Sequence, residues 1–338
     1  MARLIRIAMA MTFLVILAGS VVRMTGSGMG CPDWPKCFGL LIPPTDESEV
    51  TWKMGESYDE GRMVIEQDTL WVAQALVVAE DFGQERVEGK WMPYDRHDYA
   101  IFNPVHTWVE FVNRLLGALT GIPALLLFLF AVRRGIRKRQ WAPFAWALVH
   151  LVCLAFVAWL GKKVVDGNLI PFSITIHMMG AIAILISLIG MMRAVGEPTA
   201  APRLKRTLLW IATSVALAQV VMGTQVREQI DLLHQSGVLR SDWIVSLPEW
   251  WKIHRTGSWA VVLTQFLWMW PLRFSKGRVR RAVMMSLGLI GLQFLSGILF
   301  VWIEMPAALQ PVHLLLAIGL VTVNTWSLFF LKGELESE

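Results

Sequence analysis

Long apolar runs separated by short polar breaks fill most of this chain. They fall at roughly 4–22, 106–132, 141–160, 170–192, 207–226, 251–272, 282–302 and 309–331. A helix of about 20 apolar residues crosses the ~30 Å hydrocarbon core of a bilayer. The pattern therefore predicts an all-α membrane protein with eight transmembrane helices. Residues 38–104 interrupt it as a long polar, acid-rich excursion. Within that excursion Met63, Leu70, Val72, Leu76 and Val77 recur at roughly helical spacing. This fits a short helix on the outer face as well as it fits an ordered surface loop.

Composition supports this reading, with 55% hydrophobic and 17% charged residues. Basic residues fix the orientation. Arg3 and Arg6 precede the first run, and Arg133, Arg134, Arg137, Lys138 and Arg139 follow the second. Arg193, Arg203, Lys205 and Arg206 lie between the fourth and fifth, and Arg273, Lys276, Arg278, Arg280 and Arg281 between the sixth and seventh. All fall on one side when both termini are cytoplasmic. The net charge of +5 is then topological and gives no reason to expect a nucleic-acid partner. The first run is long and lacks a small-residue cleavage site, so it reads as an anchor and not a signal peptide. A bacterial inner (plasma) membrane is the simplest location.

Two stretches echo each other. Trp108-Val109-Glu110-Phe111-Val112-Asn113-Arg114 opens the second run, and Trp251-Lys252-Ile253-His254-Arg255 opens the sixth. The exit of the first run, ending at Arg23, resembles that of the fifth, ending at Arg227. Gly161 to His177 and Gly297 to His313 each span sixteen residues. The chain thus reads as two pseudo-symmetric four-helix bundles, 1–193 (with the outer loop 23–104) and 194–338. An even number of spans per repeat relates them by an axis along the membrane normal. Asn113 and His177 in one half, and His254 and His313 in the other, then sit at matching depth. A lone membrane histidine is ordinarily a hydrogen-bonded core residue. Imidazoles on neighbouring helices at one depth are an arrangement that ligates a heme iron.

The remaining polar positions have competing readings. Glu110 is a functional carboxylate or simply the ion-pair partner of Arg114 one turn on. Cys31 and Cys37 lie on the outer side, where thiols oxidise. A disulfide is the preferred reading, with free or metal-binding thiols the alternative. His97, His234 and Glu304 read as solvated, His150 as structural, and Cys153 as a small buried apolar residue.

Taken together, the chain resembles heme A synthase, a membrane enzyme family that converts heme O to heme A. The resemblance rests on Thr25-Gly26-Ser27-Gly28, Cys31-Pro32-Asp33-Trp34-Pro35-Lys36-Cys37, Glu110 to Arg114, Ile176-His177, His254-Arg255 and Val312-His313. It implies a heme b ligated by His254 and His313 in the second half, and a site for substrate heme O in the first. It implies oxygenation of one porphyrin methyl group to a formyl group by O2, with heme A as product. The family usually has histidine where this chain has Asn113, and an amide is a poor iron ligand beside imidazole. The expectation is therefore that His177 alone binds heme O iron, with Asn113 and Glu110 on the oxygen-binding side and His106 as a substitute ligand. Arg114, Arg255, Arg23 and Arg227 are candidates to pair with heme propionates, or else ordinary interface arginines. Expected partners are the lipid bilayer, an electron donor of unidentified nature, heme O synthase, oxidase assembly factors and a second copy of the chain. The rivals are a diheme b-type electron-transfer protein and a non-catalytic heme carrier.

Overall fold

The computed structural model describes residues 1–95, 102–167, 172–196 and 206–331. The expectations for His97 and for Arg203 and Lys205 lie outside the described residues. A long helix occupies each of the eight apolar runs: α1 Ala2–Thr25, α3 Pro104–Lys138, α4 Ala142–Gly167, α5 Ser173–Val195, α6 Arg206–Gln235, α8 Trp251–Met269, α9 Gly277–Trp302 and α10 Leu309–Phe330. Two short helices, α2 Phe82–Val87 and α7 Trp243–Ser246, lie in loops. Seven of the long helices are long and apolar enough to cross a membrane. The other, α8, is 19 residues long and carries Lys252, Arg255 and Gln265, which lower its hydropathy.

Local chemistry sets the ends that matter for the site. Gly26 closes α1 in the left-handed region, and its amide bonds back to the last turn. At the start of α3 the Asn103 side chain accepts the His106 amide, and Pro104 takes the first helical position. Helix α6 continues to Gln235, well past the expected end at 226. Three apolar clusters organise the bundle. One joins Ala8 of α1, Leu127 of α3, Ala147 of α4 and Leu188 of α5. A second joins Leu209 of α6, Trp268 of α8, Val283 of α9 and Leu328 of α10. The third, including Ile16, Leu185, Val220 and Ile318, packs α1, α5, α6 and α10 together at the centre. The outward faces of α3, α4, α8 and α9 expose large apolar residues such as Leu125, Val152, Leu263 and Leu292, as lipid-facing surfaces require.

Within the polar excursion, strands stand where the spacing of Met63, Leu70, Val72, Leu76 and Val77 allowed a short helix or an ordered loop, and they add a small sheet to a mostly helical chain. Strands β1 Ser57–Tyr58 and β4 Val77–Val78 pair antiparallel, as do β2 Met63–Glu66 with β3 Thr69–Ala73 and β3 with β5 Trp91–Pro93. Gln67 and Asp68 both have positive φ, forming the two-residue hairpin turn that matches strand twist. Each face of this sheet covers its own core. Met63, Ile65, Leu70 and Val72 pack with the cysteine loop and with Phe111 of α3. Val64, Trp71 and Ala73 pack with Tyr58 and Trp91. Two buried faces erase the polar–apolar alternation that marks a one-sided strand, which is why the pattern was ambiguous.

Candidate functional site

Four side chains on four helices each face a glycine on a neighbour. A Cβ on Gly19 of α1 would lie 3.6 Å from Asn113 Oδ1 on α3, and one on Gly223 of α6 would lie 3.2 Å from His254 Cε1 on α8. A Cβ on Gly161 of α4 would lie 3.7 Å from His177 Cε1 on α5, and one on Gly297 of α9 would lie 3.8 Å from His313 Cε1 on α10. The bare backbones leave room for these side chains to lie flat along the helix surfaces. All four line one continuous cavity of about 1210 Å³, larger than the ~300–1,000 Å³ of a usual small-molecule pocket. Arg23, Arg114, Arg227, Arg255 and Glu110 line it as well. His106 does not, so the substitute-ligand expectation finds no support in the cavity's shape.

The surroundings of the histidines differ. Ser296 Oγ is 2.9 Å from the Gln293 carbonyl and 2.7 Å from His313 Nδ1. A hydroxyl has one proton. With that proton on the Gln293 carbonyl, His313 Nδ1–H donates to Ser296, and Nε2 keeps the lone pair. Ser296 on Nδ1 is the kind of partner on the other nitrogen that orients a ligand histidine. The Gln293 amide N–H2, 2.9 Å from Nε2, donates to that lone pair, so a ligand there would displace it. His177 has no hydrogen-bond partner among the described residues; Val157 and Gly161 line the cavity with it. Four buried polar atoms of cavity-lining residues have no hydrogen-bond partner among the described residues: Asn113 Oδ1, His254 Nδ1, Gln293 Oε1 and Arg227 Nε. A polar ligand or a water would satisfy them. His150, expected as structural, pairs its Nδ1 with Ser187 Oγ at 3.0 Å, although it also reaches the cavity wall.

Glu110 is buried at 4% exposure and forms the ion pair with Arg114 that the sequence allowed. Its Oε2 also accepts the Cys31 amide at 2.9 Å. Arg114 donates onward to the carbonyls of Cys31, Asp33 and Lys36. The Cys31–Cys37 loop, closed by the preferred disulfide, is thus held on the N-terminal end of α3 by a buried carboxylate and a guanidinium. Trp34 of this loop, and Gly28 just before it, line the cavity. Burial pushes the Asp33 carboxyl above the ordinary carboxylate range, partly offset by the Gly39 amide. The free Cys153 is only half-buried, against its expected burial.

Gly30 sets how closely this loop approaches. A Cβ there would meet the His106 carbonyl oxygen at 2.3 Å, while Thr107 Oγ1 donates to the Gly30 carbonyl at 2.8 Å. Gly30→Ala is expected to lift the loop off α3 and destabilise the fold by about 1–3 kcal/mol, read as a lowered Tm. Gly28→Ala, whose Cβ would be 3.9 Å from its nearest neighbour, is the tolerated control.

The arginines are unequally engaged. Arg227 donates to Asp231, to Gln310 and, at 2.9 Å, to the Arg23 carbonyl, and Arg23 pairs with Asp231 at 3.6 Å. This joins α1, α6 and α10 beside the cavity. Arg255 lies 5.1 Å over the Trp251 ring and has no ion pair among the described residues. Sequence reading missed Asp231, Gln310, Gln293 and Ser296. Asp231 stands one turn beyond Arg227, and Ser296 one position before Gly297; those spacings were the available signals.

The chain matches the model of the family described as "Cytochrome oxidase assembly protein" over residues 2–69 and 84–325. Proteins named "Heme A synthase" are similar to it. That of Rickettsia canadensis is 22% identical over 354 residues, covering 96% of both chains. That of Rickettsia africae is 22% identical over 359 residues, covering 97% of both. That of Shewanella oneidensis is 25% identical over 227 residues, covering 65% of this chain and 54% of that protein.

Proposed function

The chain belongs to the cytochrome oxidase assembly protein family, and from that membership we propose that it is a heme A synthase, a membrane oxidoreductase that oxidises a methyl group of heme O to the formyl group of heme A. All eight long helices cross a bacterial inner membrane with both termini cytoplasmic, α8 included. The chain divides into halves 1–193 and 194–338. The packing supports this division: α1, α3, α4 and α5 follow one another around the first half. Helices α6, α8, α9 and α10 repeat that order in the second. Cavity-lining positions recur in pairs too, including Gly19 and Gly223, Arg23 and Arg227, and Gly161 and Gly297.

The observation that carries the reading is an unequal chemistry on this repeated frame. His254 takes the place of Asn113, Trp251 of Glu110, Gln293 of Val157, and Ser296 of Leu160. The second half, with two imidazoles lining the cavity, suits a heme b that His254 and His313 would hold. When bound, that heme supplies one-electron transfer. The first half, with His177 and an amide, suits substrate heme O held on one face only. Asn113 and Glu110 then face the open side. Asn113 Oδ1, without a hydrogen-bond partner among the described residues, can accept a hydrogen bond there, and the Glu110 carboxylate, paired with Arg114, lies on the same helix face. Arg255, unpaired by acid, is the readiest propionate partner; Arg23, Arg114 and Arg227 reach the cavity while already holding Asp231 or Glu110.

The slot between α3 and α4 matches the substrate. Heme O carries a long isoprenoid chain absent from heme b. A Cβ on Gly117 or Gly121 would meet nothing within 4 Å, and Ala118 and Ala158 line the same wall. At the corresponding second-half positions Trp259 and Phe294 meet with ring centroids 4.9 Å apart. The first half is open to an apolar chain where the second is closed.

Pigment extraction tests the function directly. Protein purified from cells making heme O is expected to carry heme A or its hydroxylated precursor. Heme b as the sole pigment would favour the electron-transfer and carrier rivals. A second test is Asn113→His. It is expected to close the open face, lowering turnover by about 10-fold or more and shifting the heme O spectrum to low spin. Unchanged spectrum and turnover would remove the single-face assignment.

A further inference from the structure

Beneath the second-half part of the cavity lie three buried side chains that each carry an unpartnered polar atom. Gln265 on α8, Ser286 on α9 and Asn324 on α10 are each 0% exposed. Gln265 Nε2, Ser286 Oγ and both polar atoms of Asn324 have no hydrogen-bond partner among the described residues. Each stands eleven positions deeper along its helix than His254, Gly297 and His313 respectively. Eleven residues are about three turns and ~16 Å, so the three share a face and a level. Val261, Ile290 and Leu320, four positions nearer the outer end, line the cavity floor. The apolar cluster around Leu209, Trp268 and Val283 packs the cytoplasmic side. On the fourth helix Ala212, also 0% exposed, occupies the matching level.

Orphaned amides and hydroxyls in a membrane bundle cost free energy until something bonds them. The chemistry of the orphans selects the occupant. Trp268 Nε1 donates to Gln265 Oε1 at 2.6 Å, which fixes that amide and leaves its N–H2 end pointing elsewhere as a donor. Asn324 presents a donor and an acceptor, and Ser286 presents both in one atom. A metal cation would satisfy only the acceptors and an anion only the donors. Water satisfies all of them, and buried waters serve orphaned polar groups in this way. We infer that the second half holds an enclosed water site formed by Gln265, Ser286 and Asn324, one turn below the cavity floor. The first half has Ala124, His150 and Leu188 at these positions, with His150 bonded directly to Ser187. The two slots therefore stand on different floors, a fixed side-chain pair in one and reorientable water in the other.

The inference does not depend on which reaction the protein performs. A high-resolution structure of the intact protein in lipid is expected to show water density within hydrogen-bond distance of Asn324 Oδ1 and Nδ2. Direct bonds among the three side chains without intervening density, or density for an ion, would overturn it. A thermal melting series gives an independent reading. Asn324→Leu alone is expected to lower Tm, because the water loses its main support while Gln265 and Ser286 stay buried and unpaired. Combining it with Gln265→Leu and Ser286→Ala is expected to restore Tm towards the parent. Strictly additive losses across the three would contradict a shared water site.

Discussion

His177→Ala is expected to abolish formation of heme A while leaving the second-half heme spectrum intact. In the proposed assignment His177 is the one protein ligand to substrate iron, and nothing nearby replaces it. Asn113 offers an amide, and His106 lies outside the cavity lining. Loss of residues that merely support a metal ligand costs 10–100-fold, so loss of the ligand itself is expected to exceed ~100-fold in turnover. The fold should survive, because His177 makes no hydrogen bond among the described residues and its ring faces a cavity rather than a packed core. The check is single-turnover conversion of added heme O, together with the visible spectrum. Retained conversion would show that the first half does not hold its substrate through this residue. By contrast, His313→Ala is expected to remove the second-half spectrum, since Ser296 and Gln293 position that ring and no other.

The largest effect away from any ligand is expected from closing the first-half slot. Ala118→Trp combined with Ala158→Phe reproduces the Trp259–Phe294 contact of the other half. Each buried methylene contributes about 0.8 kcal/mol. Displacing three or four of them from the substrate's isoprenoid chain therefore weakens heme O binding by roughly 100-fold, about 2.8 kcal/mol. Glycines 117 and 121 leave open space beside this slot, so the added rings meet little packed structure. Binding of heme b to the second half should not change. Equal heme O affinity in the filled variant would place the chain elsewhere.

Much of this was legible in the sequence, for reasons that differ by element. The long apolar helices follow from run length alone. The pairing of Asn113 with His254 follows because each precedes an arginine at the start of a helix. Cys31 and Cys37 were joined by their expected compartment. The β-sheet was hidden because both of its faces are buried, so Met63 to Ala73 carries no polar stripe. The end of α6 was hidden because Arg227 and Asp231 break the apolar run as single charges; they pair with each other within α6, and Arg227 also bonds the Arg23 carbonyl of α1 and Gln310 of α10. The four glycine partners of the site residues were invisible singly. Only the packing of α1 on α3, and of α6 on α8, reveals what Gly19 and Gly223 make room for. Glu110 was correctly placed on the face of Asn113, but the sequence held no sign that the backbone of the cysteine loop would grip its carboxylate.

Electron paramagnetic resonance of the intact protein loaded with heme O tests the division of labour most directly. The account predicts two ferric signals of different spin. A low-spin signal should vanish in His254→Ala, and a high-spin signal should vanish in His177→Ala. Two low-spin signals, or a high-spin signal that survives His177→Ala, would contradict it.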